Sequence, residues 1–286
     1  MTTHSLPATA MPTAPAPAPI GTLDTPELFV HRVGSGAPLV LLHGMGESHI
    51  GWRPVIDRLA RTHDVLAIDL PGFGRSPALA PQVAPTAANL GAAVQATLDR
   101  LDIVSYDVAG YSLGARVALE LARSPRVRAV IAIGPDGLGT PLERVQGYFG
   151  LLAGRGVAMA LAPAASELSR TPFGRMFFFA GNRSMPWQLA PADARELLTG
   201  FAAAPAYDAV NWTGMFDFAT HLHAIEQPVL LLQGAADPIT PQVLRYLPLI
   251  PGAELKLLPG LNHVPISDDP AGVVSHMEEF LQRTRG

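Results

Sequence analysis

Five short apolar runs, each closed by a turn rich in Gly, Pro or Asp, constrain this chain more than any other feature. They occupy residues 38–42, 65–68, 106–109, 129–133 and 228–233, and residues 253–258 read as the last strand. A run of four to six apolar residues without alternation is what a strand buried on both faces requires. Helical patterns lie between the runs. One covers residues 52–60. Another starts at Thr86, with Leu90, Val94, Leu98 and Leu101 on one face, and a third starts at Leu113, with Val117, Ala118 and Leu121 inward. Thr240-Pro241 reads as a further helix start, and Asp269-Pro270 opens a last helix with Val273, Val274, Met277, Phe280 and Leu281 inward. Residues 28–33 read as an edge strand. The alternation predicts an α/β fold, a mainly parallel central sheet with helices on both faces.

The alternation stops after Asp136 and resumes at Pro228. Residues 137–226 carry no comparable strand, yet hold 12 of the 19 aromatic residues. This stretch predicts a mostly helical cap inserted over the C-terminal edge of the sheet. Most of its rings are expected to form the cap's own core, and a minority to line an apolar pocket. The sheet domain is then 23–136 together with 227–286. Residues 1–22 have five prolines among the first twenty and lack the basic start and apolar core of a signal peptide. They predict a disordered Ala/Pro-rich tail, and with it a cytoplasmic chain.

Gly110-Tyr111-Ser112-Leu113-Gly114 joins the strand at 106–109 to the helix at Leu113. A strand that turns at once into a helix leaves room only for small residues two positions either side of the turn. Gly110 and Gly114 stand there. Such a turn lifts the Ser112 hydroxyl clear of the sheet and leaves the Leu113 amide at a helix N-terminus, free to face developing negative charge.

A serine hydroxyl needs a base to attack at neutral pH, and the base needs a carboxylate to hold its tautomer. The candidates all lie just past strand ends, the edge where open parallel sheets bind ligands. His263 follows the last strand and is the predicted base. Asp237 follows the strand at 228–233 and is the predicted acid, with Asp136 as its rival. The loop after residue 42, His43-Gly44-Met45-Gly46, lets backbone approach a substrate closely. Its Met45 amide, with that of Leu113, is the predicted oxyanion hole, and His43 would orient the loop. His221 and His223 lack a third ligand, so no metal is called for.

Composition narrows the alternatives. A net charge of −4 without a basic run argues against nucleic acid or an anionic membrane as partner. The absence of cysteine removes thiolate catalysis and thiolate metal sites. No 18-residue apolar run is free of both charge and proline, so no membrane span is expected.

The pieces His43-Gly-Met-Gly46, Asp69-Leu-Pro-Gly-Phe-Gly-Arg-Ser76, Gly110–Gly114, Gly234-Ala-Ala-Asp237 and Asn262-His263-Val-Pro265 together resemble the α/β-hydrolase superfamily, in its cap-bearing, serine esterase-like branch. The resemblance implies Ser112 as nucleophile, His263 as base, Asp237 as acid, Met45 and Leu113 as oxyanion donors, a cap inserted after the sixth strand, and no cofactor. It implies an acyl-enzyme hydrolase of a small-molecule ester. Cleavage of a carbon–carbon bond in a diketone is the alternative, for which Arg175, Arg183 and Arg195 could hold a carboxylate, although all three read more simply as solvated charges. A non-catalytic binding protein of the same shape is the third reading.

Overall fold

A computed structural model of the protein describes residues 25–285. The tail assigned to residues 1–22 lies outside them. Seven strands form one sheet: β1 (Val30–Gly34), β2 (Ala37–Leu42), β3 (His63–Ile68), β4 (Tyr106–Tyr111), β5 (Val127–Ile133), β6 (Val229–Gly234) and β7 (Glu254–Leu258). Their spatial order is β1-β3-β2-β4-β5-β6-β7. β1 pairs antiparallel with β3, and every other pairing is parallel.

The helices are α1 (Arg53–Leu59), α2 (Ala87–Arg100), α3 (Leu113–Leu121), α4 (Pro141–Leu161), α5 (Ala165–Arg170), α6 (Pro172–Phe179), α7 (Pro191–Ala203), α8 (Tyr207–Gly214), α9 (Pro265–Asp268) and α10 (Pro270–Arg285). Successive strand residues serve opposite faces. Val40 and Leu42 pack with Leu90 and Val94 of α2 and Val117 and Leu121 of α3. Leu39 and Leu41 pack with Val55 and Leu59 of α1 and with Met277 and Phe280 of α10. The inner parallel strands β2 to β6 are apolar on both faces because both faces are covered, whereas the edge strand β7 carries Glu254 and Lys256 exposed. Thr86 caps α2 by accepting the Asn89 amide, and Asp269 accepts the Gly272 amide at the start of α10.

Three expectations need correction. The helical insertion leaves the sheet after β5, so five strands of the described sheet precede it rather than six. The reason is that a single strand, β1, stands before β2 among the described residues. Second, Thr240-Pro241 opens only a five-residue 3-10 turn, Pro241–Arg245. The Thr240 hydroxyl does not cap it, because that hydroxyl is bonded to Gly134 O and Asp237 Oδ2.

Third, most aromatic side chains of the insertion are not its core. Phe149, Phe173, Phe177, Trp187, Trp212, Phe216 and Phe218 are all exposed, while Phe179 and Tyr207 are buried. The core of this segment is built mainly from smaller residues, including Ala158, Ala194, Leu197 and Leu198. One helical segment among the described residues, Pro141–Arg170, is long and apolar enough by length and composition to cross a bilayer. It contains Arg155 and Pro163, which is why a test for a run free of charge and proline passes it over. Its inner side packs against α7 and α8.

Candidate active site

Ser112 sits between β4 and α3 with φ 55° and ψ −121°. This is a conformation that a residue with a side chain adopts only when its surroundings hold it there. The surroundings are the two glycines. A Cβ on Gly110 would lie 2.2 Å from Gly114 O, and a Cβ on Gly114 would lie 2.2 Å from Leu42 O. The strand, the helix and the end of β2 are therefore in backbone contact. The Ser112 amide donates to Ile133 O at 2.9 Å, which ties the turn to the end of β5.

The loop after β2 lies directly on this turn. A Cβ on Gly44 would come 3.3 Å from Ser112 Cβ and 2.7 Å from the Tyr111 ring. His43 is wholly buried beneath the loop. Its Nε2 accepts the Leu70 amide at 2.8 Å, so the proton sits on Nδ1, which donates to Gly44 O at 2.7 Å. Burial pushes the His43 pKa down, against the pull of Asp69, and keeps the ring neutral. His43 thus pins the loop that carries the Met45 amide beside the first turn of α3, where Leu113 is the first residue.

Asp237 and His263 come together from the ends of β6 and β7. Asp237 Oδ2 accepts His263 Nδ1 at 2.8 Å, Gln233 Nε2 at 2.6 Å and the Thr240 hydroxyl at 2.7 Å. Oδ1 accepts the amides of Ile239 at 2.7 Å and Thr240 at 3.1 Å. Burial opposes ionisation of this carboxyl, but the bonds from His263 and Thr240 outweigh it and pull the pKa down to about 2. With Nδ1–H committed to Asp237, the lone pair of His263 is left on Nε2.

The serine and the imidazole lie on the same edge. The residue after Ile133 is Gly134, and a Cβ there would stand 3.2 Å from His263 Nδ1 and 3.3 Å from Asp237 Oδ2. Ser112 is half-buried, and among the described residues its hydroxyl makes no hydrogen bond to His263.

Asp136 is not part of this group. Its carboxylate is exposed and bonds only Gln242, at 3.4 Å, while its carbonyl accepts the Tyr246 hydroxyl. His221 and His223 are exposed, with ring centroids 6.5 Å apart. No group of three metal-ligating side chains occurs among the described residues. Of the three cap arginines, only Arg195 is exposed. Arg175 is buried and donates to the carbonyls of Ser169 and Trp187. Arg183 is fully buried and pairs with Glu47 Oε1 at 2.9 Å. Glu47 Oε2 in turn accepts the Tyr111 hydroxyl at 2.6 Å.

This Arg183–Glu47–Tyr111 relay, like Gln233 and Thr240 around Asp237, escapes sequence reasoning. Its members are separated by up to 136 positions and no spacing rule links them. Tyr111 sits inside Gly110–Gly114 and Glu47 directly follows His43–Gly46, and that is the only local signal. A cleft of about 510 Å³ opens between His49, Asp69, Arg75 and α7. It shares Gly46 and Glu47 with the loop but is not lined by Ser112 or His263.

A family model described as alpha/beta hydrolase fold matches residues 37–270. The chain is 29% identical over 268 residues to a pimeloyl-[acyl-carrier protein] methyl ester esterase of Shewanella sp. (strain MR-7), covering 90% of this chain and 92% of that protein. It is 37% identical to a 2-hydroxymuconate semialdehyde hydrolase of Pseudomonas sp. (strain CF600) over 128 residues, 42% of this chain and 45% of that protein. Among solved structures, the enol-lactonase from Burkholderia xenovorans LB400 superposes with a TM-score of 0.72 at 21% identity, over 92% of this chain and 99% of that one.

Proposed function

The chain belongs to the α/β-hydrolase fold family, and from that premise we propose that it is a serine hydrolase that cleaves a small apolar ester through an acyl-enzyme. The observation that carries this reading is the buried Asp237–His263 pair at the strand edge beside the strained Ser112. His263 Nε2 takes the Ser112 proton as Oγ attacks the ester carbonyl. Asp237, ionised through the whole neutral range, stabilises the imidazolium that forms. The amides of Leu113 and Met45 face the tetrahedral oxyanion, and two such donors lower a barrier by on the order of several kcal/mol. The imidazolium then protonates the departing alcohol. Water, deprotonated by the same ring, releases the acid and restores Ser112.

A nucleophilic serine, rather than aspartate, supports acyl transfer to water. The near full-length similarity to a protein named as a methyl ester esterase supports an ester as the bond cleaved. The stretch shared with a 2-hydroxymuconate semialdehyde hydrolase favours a second reading, cleavage of a carbon–carbon bond in a diketone. Against it stand Arg175 and Arg183, whose guanidinium groups are occupied within the protein and so do not offer a carboxylate anchor.

A fluorophosphonate probe tests the reading. The folded protein should be labelled, and Ser112→Ala should abolish the label. Labelling that survives this substitution would displace Ser112, and a folded chain that never labels would favour a binding protein of the same shape. Turnover of p-nitrophenyl esters of rising chain length, beside a diketone panel, then separates the two hydrolytic readings.

A further inference from the structure

The helix that leads out of the sheet, α4, is covered on one side only. Its inner side is held by the Tyr207 hydroxyl donating to Leu151 O and by Asn211 Nδ2 donating to Tyr148 O, both at 3.1 Å. Arg155 lies over the Tyr207 ring at 4.6 Å. Ala158 is the only fully buried residue of the helix. On the outer side, Leu142, Val145, Phe149, Leu152, Gly156 and Met159 follow one another at intervals of 3, 4, 3, 4 and 3 residues. The five side chains among them are between 40% and 66% exposed. A stripe with this spacing is the seam along which one helix packs on another.

We propose that α4 is a dimerisation helix, and that its outer stripe is covered by α4 of a second copy of this chain, antiparallel across a two-fold axis near residues 150–151. The spacing is a palindrome, as a two-fold contact demands, since each residue must meet its counterpart reciprocally. In that register Leu142 meets Met159, Val145 meets Gly156 and Phe149 meets Leu152 of the partner subunit. Gly150, Gly154 and Gly156 have open space where a Cβ would stand, so the partner's backbone can approach closely.

Area and charge point the same way. Trp212 and Phe216 flank the stripe, joined to Tyr148 by successive edge-to-face contacts at 5.9 Å and 5.4 Å between ring centroids. With them the exposed apolar side-chain surface is on the order of 700 Å². That exceeds the roughly 300–600 Å² usual for the largest patch on a monomer and matches the roughly 800 Å² each partner gives a standard interface. Between residues 145 and 160 the only charged side chain is Arg155, which is turned inward and 11% exposed. An uncharged surface meets its own copy without repulsion, and it offers no cation to an anionic lipid or acidic partner. The inference is independent of the reaction proposed above.

Sedimentation of the full chain at micromolar concentration tests it. The expected result is a dimer that Leu152→Glu converts to monomer, with association weakened at least ~100-fold and with ester turnover and the thermal melt retained. Because the chain has no cysteine, Leu152→Cys supplies a single attachment point. A short bis-maleimide should cross-link that variant into dimers and leave an Arg61→Cys control uncross-linked. This second readout decides the matter if Leu152→Glu does not fold. A monomeric wild type overturns the proposal, as does a dimer indifferent to Leu152→Glu. Flotation of a monomeric wild type with phosphatidylcholine vesicles, lost in Leu152→Glu, would assign the same face to a lipid surface instead.

Discussion

Asp237 accepts five hydrogen bonds on its two carboxylate oxygens, and this saturation separates it from its rival Asp136. A carboxylate held from several sides keeps its ring partner in one tautomer and one orientation. Asp237→Asn should therefore lower kcat by roughly 10⁴-fold, the scale seen when a triad acid loses its charge. Asp136→Asn, which alters an exposed group away from the imidazole, should change kcat less than about twofold, within the range of a neutral surface change. Steady-state ester hydrolysis by the two variants checks the ranking, and the reverse order would transfer the acid role to Asp136. Both residues follow a strand end, so sequence position alone leaves them comparable. They are told apart by Thr240 and Gln233, whose side chains converge on one carboxylate and not the other.

At the scale of elements, the strand–turn–helix around Ser112 is legible in the sequence because its cause is local. Gly110 and Gly114 are separated by four positions, and each glycine is required by backbone that a Cβ would overlap. The attachment of the helical insertion to the sheet has no such local cause. It runs through Arg183, which joins Glu47 of the loop after β2 to Ser267 of α9 at 3.1 Å. The amide of Val264, next to His263, donates to Asn182 O beside this arginine.

The Arg183–Glu47 pair is buried on both sides, so removing one partner strands the other charge. Arg183→Met should destabilise the protein by about 3–5 kcal/mol, read as a shift in the urea midpoint. The double variant Glu47→Gln/Arg183→Met should recover a substantial part of that loss, because no buried charge is then left unpaired. A single variant as stable as wild type would show that the pair holds nothing in place. The insertion's rings belong to the same lesson. Aromatic content announces apolar surface, but whether that surface faces inward depends on helices packing from other parts of the chain.

For the molecule as a whole, the depressed pKa of Asp237 links the site to global stability. The group titrates at about 2 in the folded chain against an ordinary 3.8, so the unfolded chain binds more protons between those values. Its contribution, about 2 kcal/mol, is fully present above pH 4 and is lost as pH falls from about 4 to 2. Asp237→Asn should flatten the fall in stability over that window, measured as urea midpoint against pH. An unchanged slope would mean that the carboxylate is not held as described. His43 adds a second window at higher pH. Its buried neutral ring disfavours protonation, so stability should begin to fall as pH drops below 6.5.

The sequence by itself determined the α/β architecture, the parallel strands and the position of Ser112 at a constrained turn. Each follows from contacts among residues a few positions apart: apolar runs that must be covered on both faces, and glycines that a Cβ would displace. Only the tertiary structure decided which carboxylate meets His263, which arginine is buried, and how much of the insertion's apolar surface is left uncovered. Those outcomes depend on side chains brought together from distant strand ends and helices, and hydrogen-bond partners and burial are properties of that assembly rather than of any local stretch of chain.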